Sequence, residues 1–330
     1  HYSIMVKKVS QIFVAGPPLV EKIGEKVTKE ELGGSGVHGS NGVIDDVAEN
    51  EAEAMEMAKT FLSFMPSSIH YLPKKEITKD NPLRKDDFLL NIIPKNKRES
   101  YDILPIIKSV VDKNSFFELS KKYGLSVITG LARLDGFPII VLANNPQVYG
   151  GGWTTNSCKK IIKIIDLAQV FHFPVLNFVD NPGFIIGKNA EKDGTIKYGA
   201  KALAAIYQFK NPMCSIILRK VFGVAGAAHT NHMNFKFRFA WPSADTGSLP
   251  FEGGIEAAYK SEISQSKDPE KFIEDKYIKL NSLTSPFRTA EKFLLENVID
   301  PRDTRKEACI WIRLAYNKLK TGSSSFGYRP

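Results

Sequence analysis

Ser215-Ile-Ile-Leu-Arg-Lys-Val-Phe-Gly-Val-Ala-Gly226 is the stretch on which the fold turns. Ser215 to Leu218 reads as a buried strand, Arg219-Lys220 leads out of it, and Phe222-Gly-Val-Ala-Gly226 forms a glycine-bearing turn into a helix. At such a turn small residues admit a ligand to the backbone, and the first helical N–H groups point outward unpaired. The geometry suits an oxyanion as it forms. Taken alone, these glycines could equally serve a tight turn or close packing, so the loop has to be weighed with its neighbours.

Two neighbours repeat the pattern. The buried strand Val175 to Val179 ends in Asp180-Asn-Pro-Gly-Phe184, and Phe137 to Leu142 is followed by Asn145-Pro-Gln-Val-Tyr-Gly-Gly-Gly-Trp153. Val127 to Arg133 and Phe137 to Leu142 flank Asp135-Gly136, a hairpin signal. Lys159 to Phe171 is helical with Ile161, Ile165 and Ala168 on one face, widened by Ile162 and Ile164. Tyr198 to Phe209 is a second amphipathic helix, and Phe235 to Trp241 a further strand. Strands alternating with helices predict an α/β domain with largely parallel pairing. Three loops at the carboxyl ends of its strands would then line one crevice.

Further out, Gln11 to Pro18 reads as a short buried strand ending in a turn, before a glycine-rich segment from Glu31 to Gly39. A helix is expected from Asp46 to about Phe64. Residues from about Ser67 to Arg98 are crowded with Pro, Lys, Asp and Asn, which marks a linker. Thr304-x-x-Glu307 is a capping-box pattern opening a helix to about Lys320, and the Ser/Gly-rich end near Ser323 is expected to fray.

The chain has 330 residues, 43% apolar and 25% charged, an ordinary globular composition. No apolar run reaches the ~18 residues of a membrane span. The net charge of +9 is not gathered into one tract with aromatics beside it, which argues against a nucleic-acid module. A basic surface could instead steer a polyphosphorylated substrate. Cys158, Cys214 and Cys309 are odd in number and far apart, so they point to a reducing compartment rather than to disulfides or zinc.

Other motifs fail on context. Gly34-Ser-Gly-Val-His-Gly39 has the dinucleotide spacing, but a charged Lys-Glu-Glu stretch stands where a strand is needed. Gly183-Phe-Ile-Ile-Gly-Lys188 is one residue short of a phosphate loop. His229 and His232 are three apart on an expected helix, yet nothing nearby completes a metal set, so none is expected. Asp166 and Asp180 are not paired for glycosidase chemistry.

The blocks that remain resemble the carboxyltransferase (β) subunits of biotin-dependent acyl-CoA carboxylases, the propionyl-CoA and methylcrotonoyl-CoA types among them. They are Asn145-Pro146, Gly150-Gly151, Asn156-Ser157, Val179 to Phe184, Gly199-Ala-Lys201, Arg219 to Gly223 and Ala240-Trp-Pro-Ser-Ala244. Upstream, Tyr2 to Lys7, Ala15-Gly-Pro17 and Glu30 to Gly34 with His38 continue the match, in order, to about residue 320.

The resemblance implies tandem crotonase-like domains: the end of a first one in 1–80 and a second in 81–330. In the family, the second domain's oxyanion hole serves the biotin ureido oxygen. Here that places it on the N–H groups around Val224 and Ala225, framed by Gly223 and Gly226. His38, Asn145, Pro146, Gly150, Gly151, Asn181, Pro182, Gly183 and Phe184 fall at the substrate and biotin positions. The family's acyl-CoA hole lies on a glycine pair upstream of the segment matching Tyr2. Val224 and Pro250 depart from the propionyl-type pattern, which leaves the acyl group open.

With this come a coenzyme A thioester as substrate and biotin carried by a partner, since Met55-Glu-Met-Ala-Lys59 is not the Met-Lys-Met attachment sequence. The implied partners are a biotin carboxylase/biotin carboxyl carrier subunit and further copies of the chain, with neither nucleic acid nor membrane. The implied compartment is the cytoplasm or the mitochondrial matrix. Two alternatives stand beside this: a biotin-dependent decarboxylase subunit, and a non-catalytic scaffold for CoA esters.

Overall fold

The computed structural model describes residues 1–229, 235–248, 254–281, 283–324 and 326–327. His232 and Pro250 lie outside them. Among the described residues there are two sheets. β1 (Ile4–Val6) and β2 (Asp46–Ala48) pair in parallel as a small sheet of their own. The main sheet contains β3 (Phe117–Leu119), β4 (Val127–Leu134), β5 (Phe137–Asn144), β6 (Val175–Asn181), β7 (Met213–Phe222), β8 (Lys236–Ala240), β9 (Asp245–Gly247) and β10 (Asn297–Val298). Its order is β10-β8-β7-β6-β5-β4-β3, with β9 also paired to β7. β3, β4 and β5 are antiparallel neighbours and the other pairings are parallel.

Alternation along the strands divides two cores. Ile139, Val141 and Ala143 of β5 face a layer built from Ile106, Ile107, Trp311 and Ile312, on the Leu104–Val110 and Thr304–Tyr316 helices. Ile140 and Leu142 face Ile161, Ile165, Ala202 and Ile206 on the Thr155–Val170 and Thr195–Gln208 helices. Cover on both faces explains why the central strands read as unbroken apolar runs. The β4–β5 hairpin closes through Asp135 and Gly136, both at positive φ (52° and 81°), as a two-residue turn requires.

Several expectations need correction. Gln11 to Pro18 is not a strand: Gln11 makes an isolated bridge to Gly34, Ile12 and Val14 are exposed, and Pro17–Glu21 is a short helix. The helix expected from Asp46 begins only at Glu51, because Asp46–Ala48 is drawn into β2 and Asn50 caps the helix through Glu53 N–H. Thr304 and Glu307 form no capping box. Thr304 lies inside its helix, and its hydroxyl is used by Pro301 and by Trp241 Nε1 at 2.8 Å. The tail does not fray at Ser323: Gly322 N–H donates to the Ile69 carbonyl, and the Ser324 hydroxyl to that of Gln169.

The expected linker is irregular apart from a 3-10 turn at Asp87–Leu90, yet it is tied down at several points. Glu76 N–H donates to the Gly136 carbonyl, and Arg305 reaches Asp80 and Asp112. Among the described residues no helix is long and apolar enough to cross a membrane.

Candidate active site

β5, β6 and β7 run parallel, so their carboxyl ends lie on one edge of the sheet. The loop after β5 is held to β6 by Asn144, whose Nδ2 donates to the Gly151 carbonyl at 2.8 Å and whose Oδ1 accepts from Asp180 N–H. A Cβ at Gly151 would stand 2.3 Å from the Asp180 carbonyl oxygen, so only glycine permits this approach. Trp153 and Phe184 zip the first two loops together: Trp153 N–H donates to Gly183, Ile185 N–H returns to Trp153, and the rings meet edge to face at 5.9 Å. Phe184 in turn occupies the space Gly199 leaves on the Thr195–Gln208 helix.

The third loop departs from β7 at Gly223 (φ +63°) into the short Gly223–Ala228 helix. Ala225 and Gly226 are buried against the end of β7, and Val224 is 63% exposed in the first turn. N–H groups of a first turn have no helical carbonyl to pair with.

The edge is braced by a break in the ladder. Val179 pairs with Ile217 but Asn181 with Val221, so β7 carries extra residues opposite Asp180. The carboxylate of Asp180 fills the gap, accepting from Lys220 N–H at 3.0 Å, Arg219 Nε at 3.0 Å and the Tyr101 hydroxyl at 2.9 Å. Burial raises the Asp180 carboxyl, while Arg219, Lys220 and Tyr101 pull against that rise. Burial, reinforced by the neighbouring carboxylate, drives the Tyr101 phenol well above its ordinary value.

On the opposite side of β6, Asn177 and Asn181 reach His229, which burial pushes down to about 3 and so keeps neutral. Neither Asn144, Tyr101, Arg219 nor Asn177 was legible as a site residue in the sequence. Asp180 and His229 were weighed there for glycosidase and metal chemistry and set aside for both, with a structural or polar role expected for His229. Among the described residues no three His, Cys, Asp or Glu side chains gather as a metal set.

The expected residues are only partly brought together. Gly150, Gly151, Asn181, Pro182, Gly183, Phe184 and the Gly223–Gly226 turn meet at this edge. Asn145 shapes its loop, its side chain bonding Leu125 and Gln147, and Pro146 is buried beside it. His38 sits on the Ser35–Asn41 helix, where its ring nitrogens face the Ile12 carbonyl and Asn41, not the three loops.

Known proteins resemble the chain over most of its length. The propionyl-CoA carboxylase carboxyltransferase subunit of Haloferax mediterranei is 30% identical over 327 residues, covering 97% of this chain and 63% of that protein. The methylmalonyl-CoA decarboxylase subunit alpha of Veillonella parvula is 32% identical over 304 residues, covering 91% and 58%. The solved structure of transcarboxylase 12S with methylmalonyl-coenzyme A bound superposes with a TM-score of 0.91 at 29% identity, over 100% of this chain and 64% of that one. The α/β, crotonase-like fold expected from the sequence is the fold this likeness shows. The chain spans about three-fifths of the length of these relatives. The family model for the carboxyl transferase domain matches residues 1–326, and the chain belongs to that family.

Proposed function

We propose that this chain is part of the carboxyltransferase of a biotin-dependent acyl-CoA carboxylase, moving a carboxyl group onto an acyl-CoA. The observation that carries the reading is the meeting of three glycine-bearing loops at one sheet edge in a member of this family. We also infer that residues 1–80 close one crotonase-like domain and 81–330 form a second, a division supported by the separate β1–β2 sheet.

Biotin, carried by a partner subunit, would supply the carboxyl group and a ureido oxygen able to take a proton. The residues present fit it. Gly183 (φ +126°) and Gly223 leave open backbone where added Cβ atoms would stand 3.9 Å from the Phe222 carbonyl oxygen and 3.6 Å from that of Ser248. Val224 and Ala225 would hold the ureido oxygen by their N–H groups, each such donor being worth about 2.7–4 kcal/mol where charge develops. Trp153 and Ala225 share one buried apolar cluster, against which Phe184 packs. Tyr149 and Ile186 are exposed along one cavity, and Val224 is exposed on the third loop, apolar surface suited to a second copy of the chain and to the pantetheine arm. The reduced, buried cysteines accord with a cytoplasmic or matrix setting.

The test is initial rates with acetyl-, propionyl- and methylcrotonoyl-CoA, using the full-length subunit with its biotin-bearing partner. One substrate should be carboxylated, and failure with all three would end this reading. A second reading, transfer in the decarboxylating direction, has the Veillonella relative behind it, while the carboxylase relatives favour the first. Co-purification with a membrane-embedded ion-pumping partner would select the second.

A further inference from the structure

His229 touches all three loops. It follows the Gly223–Ala228 helix, where its N–H donates to the Gly226 carbonyl at 3.1 Å and its carbonyl accepts the Ser215 hydroxyl at 2.9 Å. Its Nε2 lies 3.0 Å from Asn181 Nδ2 at the end of β6. Its Nδ1 lies 2.8 Å from the side chain of Asn177. The ring stands edge-on to Trp153, in the loop after β5, at 5.0 Å.

Neighbouring groups fix where its proton sits. Gly183 N–H donates to Asn181 Oδ1 at 2.9 Å, so the Asn181 amide nitrogen must face His229 and donate to Nε2. A neutral imidazole has one lone-pair nitrogen and one N–H, which leaves the proton on Nδ1. Asn177 then turns its carbonyl oxygen to that N–H, an assignment made from the network. With the amide the other way round, Asn177 Nδ2 donates to Ser215 Oγ at 3.2 Å but also faces the Nδ1 proton, and Asn177 Oδ1 is buried without a partner. A relay results: Gly183 N–H to Asn181, Asn181 to His229, His229 to Asn177.

We propose that His229 is a positioning residue for carboxyl transfer, setting the Asn181–Phe184 loop against the Val224–Ala225 turn through Asn181. This rests on the reading that those N–H groups serve the reaction. The ring is only 2% exposed and both nitrogens are engaged, so it neither meets substrate nor ligates a metal. Kept neutral by burial, it acts as a fixed hinge-pin rather than as an acid or base. Small displacements at a reacting centre are costly, on the order of 10²-fold for about 1 Å.

The test uses the assembled enzyme containing this chain. His229→Phe keeps a ring against Trp153 and removes both side-chain hydrogen bonds, whereas His229→Gln can still accept from Asn181 and donate to Asn177. His229→Phe should lower kcat by about 10²-fold with KM for the acyl-CoA unchanged, and His229→Gln should restore most of the loss. A folded His229→Phe enzyme with wild-type kcat, or one altered only in KM, would overturn the proposal. Nitrogen-15 NMR of histidine-labelled wild-type protein provides a second arm that needs no variant to fold. A protonated Nδ1 with Nε2 as acceptor is expected, and a protonated Nε2 would break the relay and the proposal with it. If the wild-type enzyme transfers no carboxyl group to any acyl-CoA, the functional reading fails, while the NMR result still decides the His229 wiring.

Discussion

The two faces of β6 solve one problem in opposite ways. On one side Asp180 is a fully buried charge, matched to Arg219, whose side chain is 4% exposed, and stacked under Tyr101. On the other, Asn177, Asn181 and His229 form a network with no formal charge. Both brace the carboxyl edge of the sheet. The charged face spans a break in the ladder, where a carboxylate can accept several N–H groups at once. The neutral face joins loops that a charge would pull out of register as protons came and went. Charge fixes a strand defect firmly and at a desolvation cost; neutral amides and imidazole hold a junction steady across pH.

The largest effect should come from breaking the charged face. Asp180→Ala leaves the Arg219 guanidinium buried and unmatched, and should cost about 3–5 kcal/mol in urea unfolding. A loss below 1 kcal/mol would mean that water replaces the carboxylate and that the two faces differ little. Next comes the turn they support. Ala225→Pro deletes one N–H in the first turn of the Gly223–Ala228 helix, where proline is better tolerated than in a helix interior. Carboxyl transfer should fall by about 10²–10³-fold, while thermal unfolding stays above that of Asp180→Ala. An active, folded variant would show that this amide is not a donor.

Tyr101→Phe removes one of three partners of Asp180 and should cost about 2 kcal/mol, as for other hydrogen bonds to a charged group. The smallest effect, read between pH 6 and pH 5, sharpens the contrast through pH. His229 is depressed to about 3 in the folded protein, against about 6.5 unfolded. Between those values the unfolded chain binds the proton and the folded one does not. Stability is therefore intact above pH 6.5 and falls as pH drops towards 3, by up to about 1.4 kcal/mol per pH unit from this residue. Chemical denaturation at pH 6 and pH 5 should show a shallower fall in His229→Gln. Equal slopes would mean that the imidazole is charged in the fold.

What the sequence made legible was what neighbouring residues decide. The β4–β5 hairpin follows from Asp135-Gly136, and the Thr155–Val170 and Thr195–Gln208 helices from their apolar period. The three loops were read in the right places because each ends an apolar strand in glycine. The bracing was hidden because its partners are distant in the chain: Asp180 meets Arg219 39 residues on and Tyr101 79 residues back, and His229 meets Asn181 across 48. Gln11 to Pro18 misled because an apolar run makes a strand only where a partner edge is available. The Thr304 pattern misled because Trp241 Nε1, 63 residues away, uses the hydroxyl that a capping box needs.

The irregular stretch between Ile69 and Asp86 carries a consequence for the order of folding. It closes contacts across 60 residues to Asp135, 103 to His172 and 225 to Arg305, all of them far longer than the hairpin it crosses. Loop closure over such spans is favourable only once the distant surfaces exist. The hairpin and the βαβ units are therefore predicted to assemble first, and this segment to fasten last, when the Thr304–Tyr316 helix has docked. It behaves as a late clasp: a chain stopped short of Arg305 would leave it open to protease along its length, even with the central strands already paired.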